Sequence, residues 1–166
     1  MGRSRRAGTL LVAFGLVLGG QLSTSCGNGA AGPRGPTKFP PGSHAVTADG
    51  VRVELTTAKY DDTGVDVRLL IKNRGSEPVL VRRQGIVLAH EDLEFPATGI
   101  DETPLPDTTE VRPKDEQTIQ AHFELGARLT ADAKLRLRGV QRGQTWLEPI
   151  ELTIPGGIDP EKRVEQ

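Results

Sequence analysis

Cysteine is almost absent from this sequence, since Cys26 is the only one among 166 residues. A single thiol excludes a disulfide within the chain and also excludes a zinc site of the Cys-based finger type. In an oxidising compartment a lone cysteine is a liability unless it is capped or modified. The surroundings of Cys26 therefore bear on where the protein resides.

Aromatic residues make up only 4% of the chain, and Met1 is the only methionine. The core must be built from Val, Leu and Ile, while 20 glycines and 12 prolines favour short strands and turns over long helices. The net charge is −1, but residues 1–25 hold three of the 21 basic residues and no acidic one, which leaves 18 against 22 and a net charge of −4. A mildly acidic domain gives no electrostatic reason to expect DNA or RNA as a partner.

The N-terminus places basic residues ahead of the apolar run Leu10–Leu18. This order is typical of a secretory signal peptide, and the run is shorter than the roughly 20 apolar residues that a transmembrane helix needs. We therefore predict a signal peptide over residues 1–25. The pair Arg5 and Arg6 leaves the export route, general or twin-arginine, open.

Two modes of cleavage fit the end of this leader. Ser23-Thr24-Ser25 satisfies the small-x-small rule of ordinary signal peptidase, which would release a soluble secreted or periplasmic protein. The segment Leu22–Cys26 also resembles the lipobox of bacterial lipoproteins, with Ser23 standing where that family usually has leucine. The resemblance implies that Cys26 is diacylated on sulfur and becomes the first residue, and two or more acyl chains hold a protein firmly on a membrane.

Three features favour lipidation over simple secretion. Cys26 is unique, it lies at the right distance after the apolar run, and Gly27 is a common follower in lipoproteins. Residues 26–44 are rich in Gly and Pro, and we interpret them as the lipidated cysteine and a flexible linker. The predicted organisation continues with a folded domain over residues 45–155 and a polar tail over residues 156–166.

Apolar and polar residues alternate with period two from about residue 45 onward, which predicts β-strands with one buried face. The clearest runs are Val51–Leu55, Val65–Ile71, Thr118–Leu125, Lys134–Arg138 and Ile150–Ile154. About seven such strands with a long crossover predict an all-β fold, an immunoglobulin-like antiparallel β-sandwich. The predicted core residues are Val53, Leu55, Val67, Leu69, Ile71, Val81, Ile119, Phe123, Leu135, Leu137, Leu152 and Ile154.

Residues 91–116 interrupt this pattern with four prolines and nine acidic residues. Proline cannot donate to a strand ladder, so the segment is predicted as a long connection with at most an edge strand. Its acidic residues lack the alternating spacing of a calcium loop, which favours a solvated acidic loop. A short helix is compatible with Leu129–Ala133.

Two segments of the chain carry a second resemblance. One is Val65–Arg83, whose strand ends in Lys-Asn-x-Gly-x-x-Pro at residues 72–78, and the other is Pro-x-x-x-x-Thr-Ile at residues 113–119. They resemble a strand-turn-strand signature of the telokin-like, immunoglobulin-fold domains of unknown function in bacterial lipoproteins. The resemblance covers residues 50–154 and implies an extracytoplasmic accessory or binding domain without catalysis.

Residues that could carry chemistry are few. The three histidines, His44, His90 and His122, lack the short ligand spacing of a metal site, and neither a nucleophile elbow nor a phosphate-binding glycine loop is present. We therefore predict no catalytic residue, no cofactor, no metal site and no enzyme. Tyr60 and Trp146 are expected in core or turn packing.

The alternation of Lys134, Arg136 and Arg138 with leucines predicts a basic stripe on one sheet face, with Arg142 nearby. Such a stripe can bind anionic glycans or lipid headgroups, or it can be a solvated face that discourages edge-to-edge association. The solvated face is the more common case, and we predict it here.

Together these observations predict a cell-envelope lipoprotein, anchored on the extracytoplasmic side at the periplasm or outer surface, that presents a non-catalytic binding or accessory module. The lipid anchor makes the membrane one partner, and an envelope protein is a candidate for another. A soluble secreted or periplasmic protein of the ligand-binding or inhibitor type is the alternative, and a structural envelope component is a third class.

Overall fold

The computed structural model describes residues 35–101 and 103–157. Within them, thirteen strands pair antiparallel in one five-stranded and two four-stranded sheets, which confirms the all-β prediction. The 3₁₀ turn Arg83–Gly85 is the one helical element of these residues, and none of them forms a helix long and apolar enough to cross a bilayer. The short helix considered at Leu129–Ala133 is absent. Residues 129–132 are irregular, and Ala133 begins strand β10.

The first sheet is built around two ten-residue strands, β3 (Val51–Tyr60) and β4 (Gly64–Asn73), and its edge strand β9 (Glu116–Glu124). Two short strands, β1 (Thr37–Lys38) and β2 (Ala45–Ala48), both pair with the outer edge of β3. The order is therefore β1-β3-β4-β9, with β2 beside β1.

The second sheet has the order β12-β11-β5-β8 and the third has the order β13-β10-β6-β7. The strands of the second sheet are β5 (Val79–Arg82), β8 (Thr108–Val111), β11 (Val140–Arg142) and β12 (Thr145–Trp146). Those of the third are β6 (Ile86–His90), β7 (Leu93–Pro96), β10 (Ala133–Leu137) and β13 (Ile150–Ile154).

The second and third sheets meet at two glycines. The Arg82 amide donates to Gly139 O at 2.9 Å, and the Arg138 amide donates to Gly85 O at 2.8 Å. A Cβ placed on Gly85 would lie only 2.2 Å from the backbone nitrogen of Gly139. The two chain segments approach so closely here that a side chain does not fit at residue 85.

Apolar side chains from all three sheets form one buried cluster. Every one of the twelve residues predicted for the core belongs to it, from Val53 in β3 to Ile154 in β13. The cluster also includes residues that alternation did not select, such as Ile86, Leu129 and Ile150. The period-two pattern thus identified the buried faces of the long strands correctly.

Paired structure begins before residue 45, where the sequence places the start of the domain. Strand β1 lies within the segment assigned to the linker, the Phe39 amide donates to Thr56 O at 3.0 Å, and Phe39 packs against the core. Residues 91–116, predicted as a long connection with at most an edge strand, contain β7 and β8, and the irregular part lies between these two strands.

Candidate functional site

Three polar side chains, those of Asp61, Asp66 and His122, converge at the end of the first sheet where β3 turns into β4. Asp66 and His122 lie directly opposite each other in the β4–β9 ladder, both on the face away from the core. Asp61 begins the turn that leads into β4. One ligand atom from each of the three lies within 4.8 Å of the others, and all three residues are partly buried.

The imidazole of His122 is held between two carboxylates. Its Nδ1 lies 2.8 Å from Asp66 Oδ1, and its Nε2 lies 3.4 Å from Glu124 Oε2. Partial burial acts to lower the pKa of His122, but the hydrogen bonds to Asp66 and Glu124 and the charges of Asp66 and Asp61 outweigh it and raise the pKa. The arrangement therefore favours a positive charge at this ring.

Asp61 is fixed by its own turn. Its Oδ1 accepts hydrogen bonds from the amides of Thr63 and Gly64, at 2.9 and 2.7 Å, and from the Thr63 hydroxyl at 3.2 Å. Burial acts to raise the pKa of Asp61, but these three hydrogen bonds and the charge of His122 lower it. An ionised carboxylate is thus held beside the His122 ring.

The sequence prediction did not find this cluster, because its residues are far apart in the chain. Ligand spacing along the sequence detects only residues that are close in the chain, whereas Asp66 is 56 residues away from His122. The usable signal was the alternation itself, which places both side chains on the polar faces of two predicted strands. Of the other histidines, His44 stacks edge-on against Phe39 at 4.6 Å, and His90 ends β6.

The basic stripe exists but is neutralised. Arg136 donates to Glu151 at 2.9 Å and to Glu94 at 3.1 Å, and Arg138 also pairs with Glu94. The pKa of Glu94 is held below its usual range. The largest cause is the hydrogen bond from Arg138, and the charge of Arg138 and the hydrogen bond and charge of Arg136 act in the same direction. Two carboxylates, Glu151 in the neighbouring strand β13 and Glu94 in β7 beyond β6, thus offset two of the three positive charges that the stripe would offer to an anionic ligand.

Arg142, expected near this stripe, lies instead in the second sheet, beside the Asp49-Gly50 turn. There it lines a hollow of about 340 Å³ together with Asp49, Glu77, Trp146 and Glu148. Trp146 does not pack in the core, since 53% of its surface is exposed, and it lies in β12 directly after the Gly143-Gln144 turn. The Arg82 guanidinium lies 4.6 Å from its ring centroid. We call this hollow the Trp146 surface.

The acidic residues of 91–116 do not gather into a calcium site among the described residues. Asp107 pairs with Arg83 at 2.8 Å and Glu116 pairs with Lys72 at 3.0 Å, at separate places on the fold. The loop between β7 and β8 instead covers part of β9, and the two enclose a groove of about 370 Å³ with mixed polar and apolar walls.

The two segments that carried the family resemblance lie side by side. Asn73 Nδ2 donates to Glu77 O at 2.7 Å and to Val111 O at 3.0 Å, while its Oδ1 accepts from the Gly75 amide at 2.9 Å. The Asn73 amide donates to Asp115 O at 3.0 Å. Asn73 is 1% exposed, so its side chain has a structural role and holds the two segments together.

The predicted lipidation residue, Cys26, and the signal peptide 1–25 lie outside the described residues. What the described part defines is a class of structure, an all-β domain of three antiparallel sheets, with a partly buried histidine–carboxylate cluster at one end and the Trp146 surface at the other.

No protein-family model and no curated protein matches the sequence. Among solved structures, the fold is similar to that of the "putative lipoprotein (ycdA)" from Bacillus subtilis, with 13% sequence identity and a TM-score of 0.55. The match covers 70% of this chain but only 39% of that protein. The yjhA protein from Bacillus subtilis matches at 8% identity with a TM-score of 0.47, over 58% of this chain and 78% of that one.

Proposed function

We propose that the chain is an exported lipoprotein of the cell envelope, anchored on the extracytoplasmic side through Cys26, which presents a non-catalytic binding or accessory module. The observation that carries the proposal is the position of the only cysteine, between a signal-peptide-like leader and the described β domain. The partial structural likeness to a Bacillus subtilis protein described as a putative lipoprotein is compatible with this proposal.

An immunoglobulin-like β-sandwich is our interpretation of the sheet arrangement. Strand β5 continues through a 3₁₀ turn into β6, and β10 continues through Arg138 and Gly139 into β11. The second and third sheets can therefore be taken as two halves of one bent layer, joined at Gly85 and Gly139. That layer and the first sheet contribute to one apolar cluster, as a two-layer sandwich requires.

The described chain enters the fold at one end of the first sheet. Thr37 pairs with Ala58, so Gly35 enters the first sheet at the end where β3 turns into β4. Residues 27–34 allow at most about 30 Å between Cys26 and this point when fully extended. Residue 35 therefore lies at the end of the first sheet opposite the Trp146 surface.

We take the Trp146 surface as the recognition site of this module. An exposed tryptophan is common at energetically important contacts, because its large ring buries much area while its N–H can still donate a hydrogen bond. The neighbouring carboxylates of Asp49, Glu77 and Glu148 supply a polar rim. A partner of the envelope that carries both apolar and basic groups fits this surface.

The anchor is tested by the variant Cys26→Ser, expressed in a bacterial host and followed by membrane fractionation. Wild-type protein is expected in the membrane fraction and labelled by an alkyne fatty acid, whereas the variant is expected soluble and unlabelled. Ser23→Leu, which restores the usual lipobox leucine, serves as the control and should remain anchored. Equal fractionation of wild type and Cys26→Ser would show that the lipid anchor is wrong and would favour the soluble secreted alternative.

The recognition site is tested separately by cross-linking in isolated membranes. Trp146→Ala is expected to abolish specific cross-links that the wild type forms. The matched control is Leu93→Ala, because Leu93 is the other large apolar side chain that the described structure exposes, at 61%. Cross-links that survive Trp146→Ala, or that vanish in both variants, would remove the Trp146 surface as the recognition site.

A further inference from the structure

We propose that Asp61, Asp66 and His122 form a binding site for a divalent transition-metal ion, with Zn²⁺ as the ion that the ligand set fits. This inference is independent of the lipid anchor, because it rests only on side chains of the folded domain. One imidazole nitrogen and two carboxylate oxygens are a ligand combination that Zn²⁺ accepts, and three protein ligands leave a fourth position open.

The distances suit a single ion. In the tetrahedral geometry usual for Zn²⁺, ligand atoms bound at about 2.0–2.2 Å lie about 3.3–3.6 Å apart. The three candidate atoms already lie within 4.8 Å of one another, and Asp66 Oδ1 is 2.8 Å from His122 Nδ1. A shift of at most about 1.5 Å in one carboxylate brings the widest pair to this spacing.

The hydrogen bonds at His122 are compatible with a proton at Nδ1 or with a metal ion in its place. A neutral imidazole has a single N–H and can donate to only one acceptor, but His122 faces a carboxylate oxygen at each nitrogen. With Nε2–H donating to Glu124, the Nδ1 lone pair faces Asp66 Oδ1. A second proton or a metal ion at Nδ1 relieves this repulsion. Glu124 then corresponds to the carboxylate that commonly orients a metal-ligating histidine.

The backbone holds the three residues in place without an ion. Asp66 and His122 are paired across β4 and β9, and the amide of Thr98 donates to His122 O at 2.9 Å on the far side of β9. Asp61 is fixed by the hydrogen bonds of its turn. The Lys59 ammonium lies 3.8 Å from Asp66 Oδ2 and opposes a cation, so we expect weaker binding than at a closed four-ligand zinc site.

The test is calorimetric titration of the full-length chain with ZnCl₂ at pH 7.5, in a Cys26→Ser background so that the free thiol does not bind the metal. We expect one equivalent to bind, His122→Gln to abolish the saturable heat, and Glu124→Gln to weaken affinity about 10-fold. His90→Gln is the control and should bind as the parent does. Neither Mg²⁺ nor Ca²⁺ should compete, because both prefer sites made only of oxygen.

Imidazole NMR resonances keep the proposal falsifiable if a variant fails to fold. Zn²⁺ added to the Cys26→Ser chain is expected to shift the ring signals of His122 and to leave those of His44 and His90 unchanged. Absence of saturable zinc heat, zinc shifts confined to His44 or His90, or binding that is indifferent to His122→Gln would each overturn the site.

Discussion

Tyr60 is the only tyrosine of the chain, so its ionisation can be followed without interference. Its hydroxyl donates to Pro155 O at 2.5 Å, which ties the end of β3 to the segment that follows β13. Partial burial, with a smaller contribution from the Asp132 charge, raises the pKa of Tyr60 to about 12. Replacing Tyr60 by phenylalanine removes both the hydrogen bond and the titrating group.

The expected magnitude follows from the shift of the pKa from about 10 to about 12. Two units would correspond to about 2.7 kcal/mol for a fully buried group, and because Tyr60 is only about half buried we reduce this to about 1 kcal/mol. The unfolded chain loses the tyrosine proton first. The stabilisation is therefore fully present below pH 10 and is lost as the pH rises through 12. The lost hydrogen bond costs about 1 kcal/mol at neutral pH.

The assay is urea unfolding of wild type and Tyr60→Phe at pH 8 and pH 11, followed by circular dichroism. The variant should be less stable by about 1 kcal/mol at pH 8, and the gap should narrow by about 0.5 kcal/mol at pH 11. Lysine ionisation affects both proteins equally and cancels in the comparison. A gap that stays constant, or tyrosinate absorbance at 295 nm that appears near pH 10 in the folded protein, would refute the reasoning.

Three further predictions follow from other contacts. Asn73→Ala leaves the carbonyls of Glu77 and Val111 and the amide of Gly75 without their partner, and should lower the free energy of unfolding by about 2–3 kcal/mol in urea titrations. Gly85→Ala places a methyl group against the backbone of Gly139. It should lower the free energy of unfolding by about 2 kcal/mol, which is measured as a fall of several degrees in Tm. Glu94→Gln combined with Glu151→Gln frees the basic stripe and should create salt-sensitive retention on heparin, where the wild type flows through.

Each of these changes has a matched control. Arg74→Ala alters an exposed neighbour of Asn73, and Gly35→Ala adds a methyl group where nothing lies within 4 Å, so neither should change stability by more than about 0.5 kcal/mol. Glu110→Gln with Glu148→Gln removes the same charge away from the stripe and should leave heparin retention low. If a variant and its control change stability or heparin retention to the same extent, the role assigned to that contact is contradicted.

The long strands and the core could be predicted because their signal is local. In Val65–Ile71 the alternation of buried and polar residues follows from the strand period alone, and all twelve residues selected in this way are buried. The short strands β7 and β8 could not be predicted in the same way. Leu93 in β7 is exposed, and β8 buries only Val111, so neither strand shows a periodic pattern. Pairing with β6 and β5 forms them, which is a property of the assembled sheet.

The candidate metal site depends on a still less local property, the register of β4 against β9. Asp66 meets His122 because Val67 pairs with Ala121, and a shift of one residue would move one of the two side chains to the opposite face. The residues between the two strands do not encode that register by themselves. It is set by the buried pairs, such as Leu69 with Ile119, so the core determines which polar groups become neighbours on the outer face. A polar site of this kind can therefore be recognised only after the buried residues of β4 have been paired with those of β9.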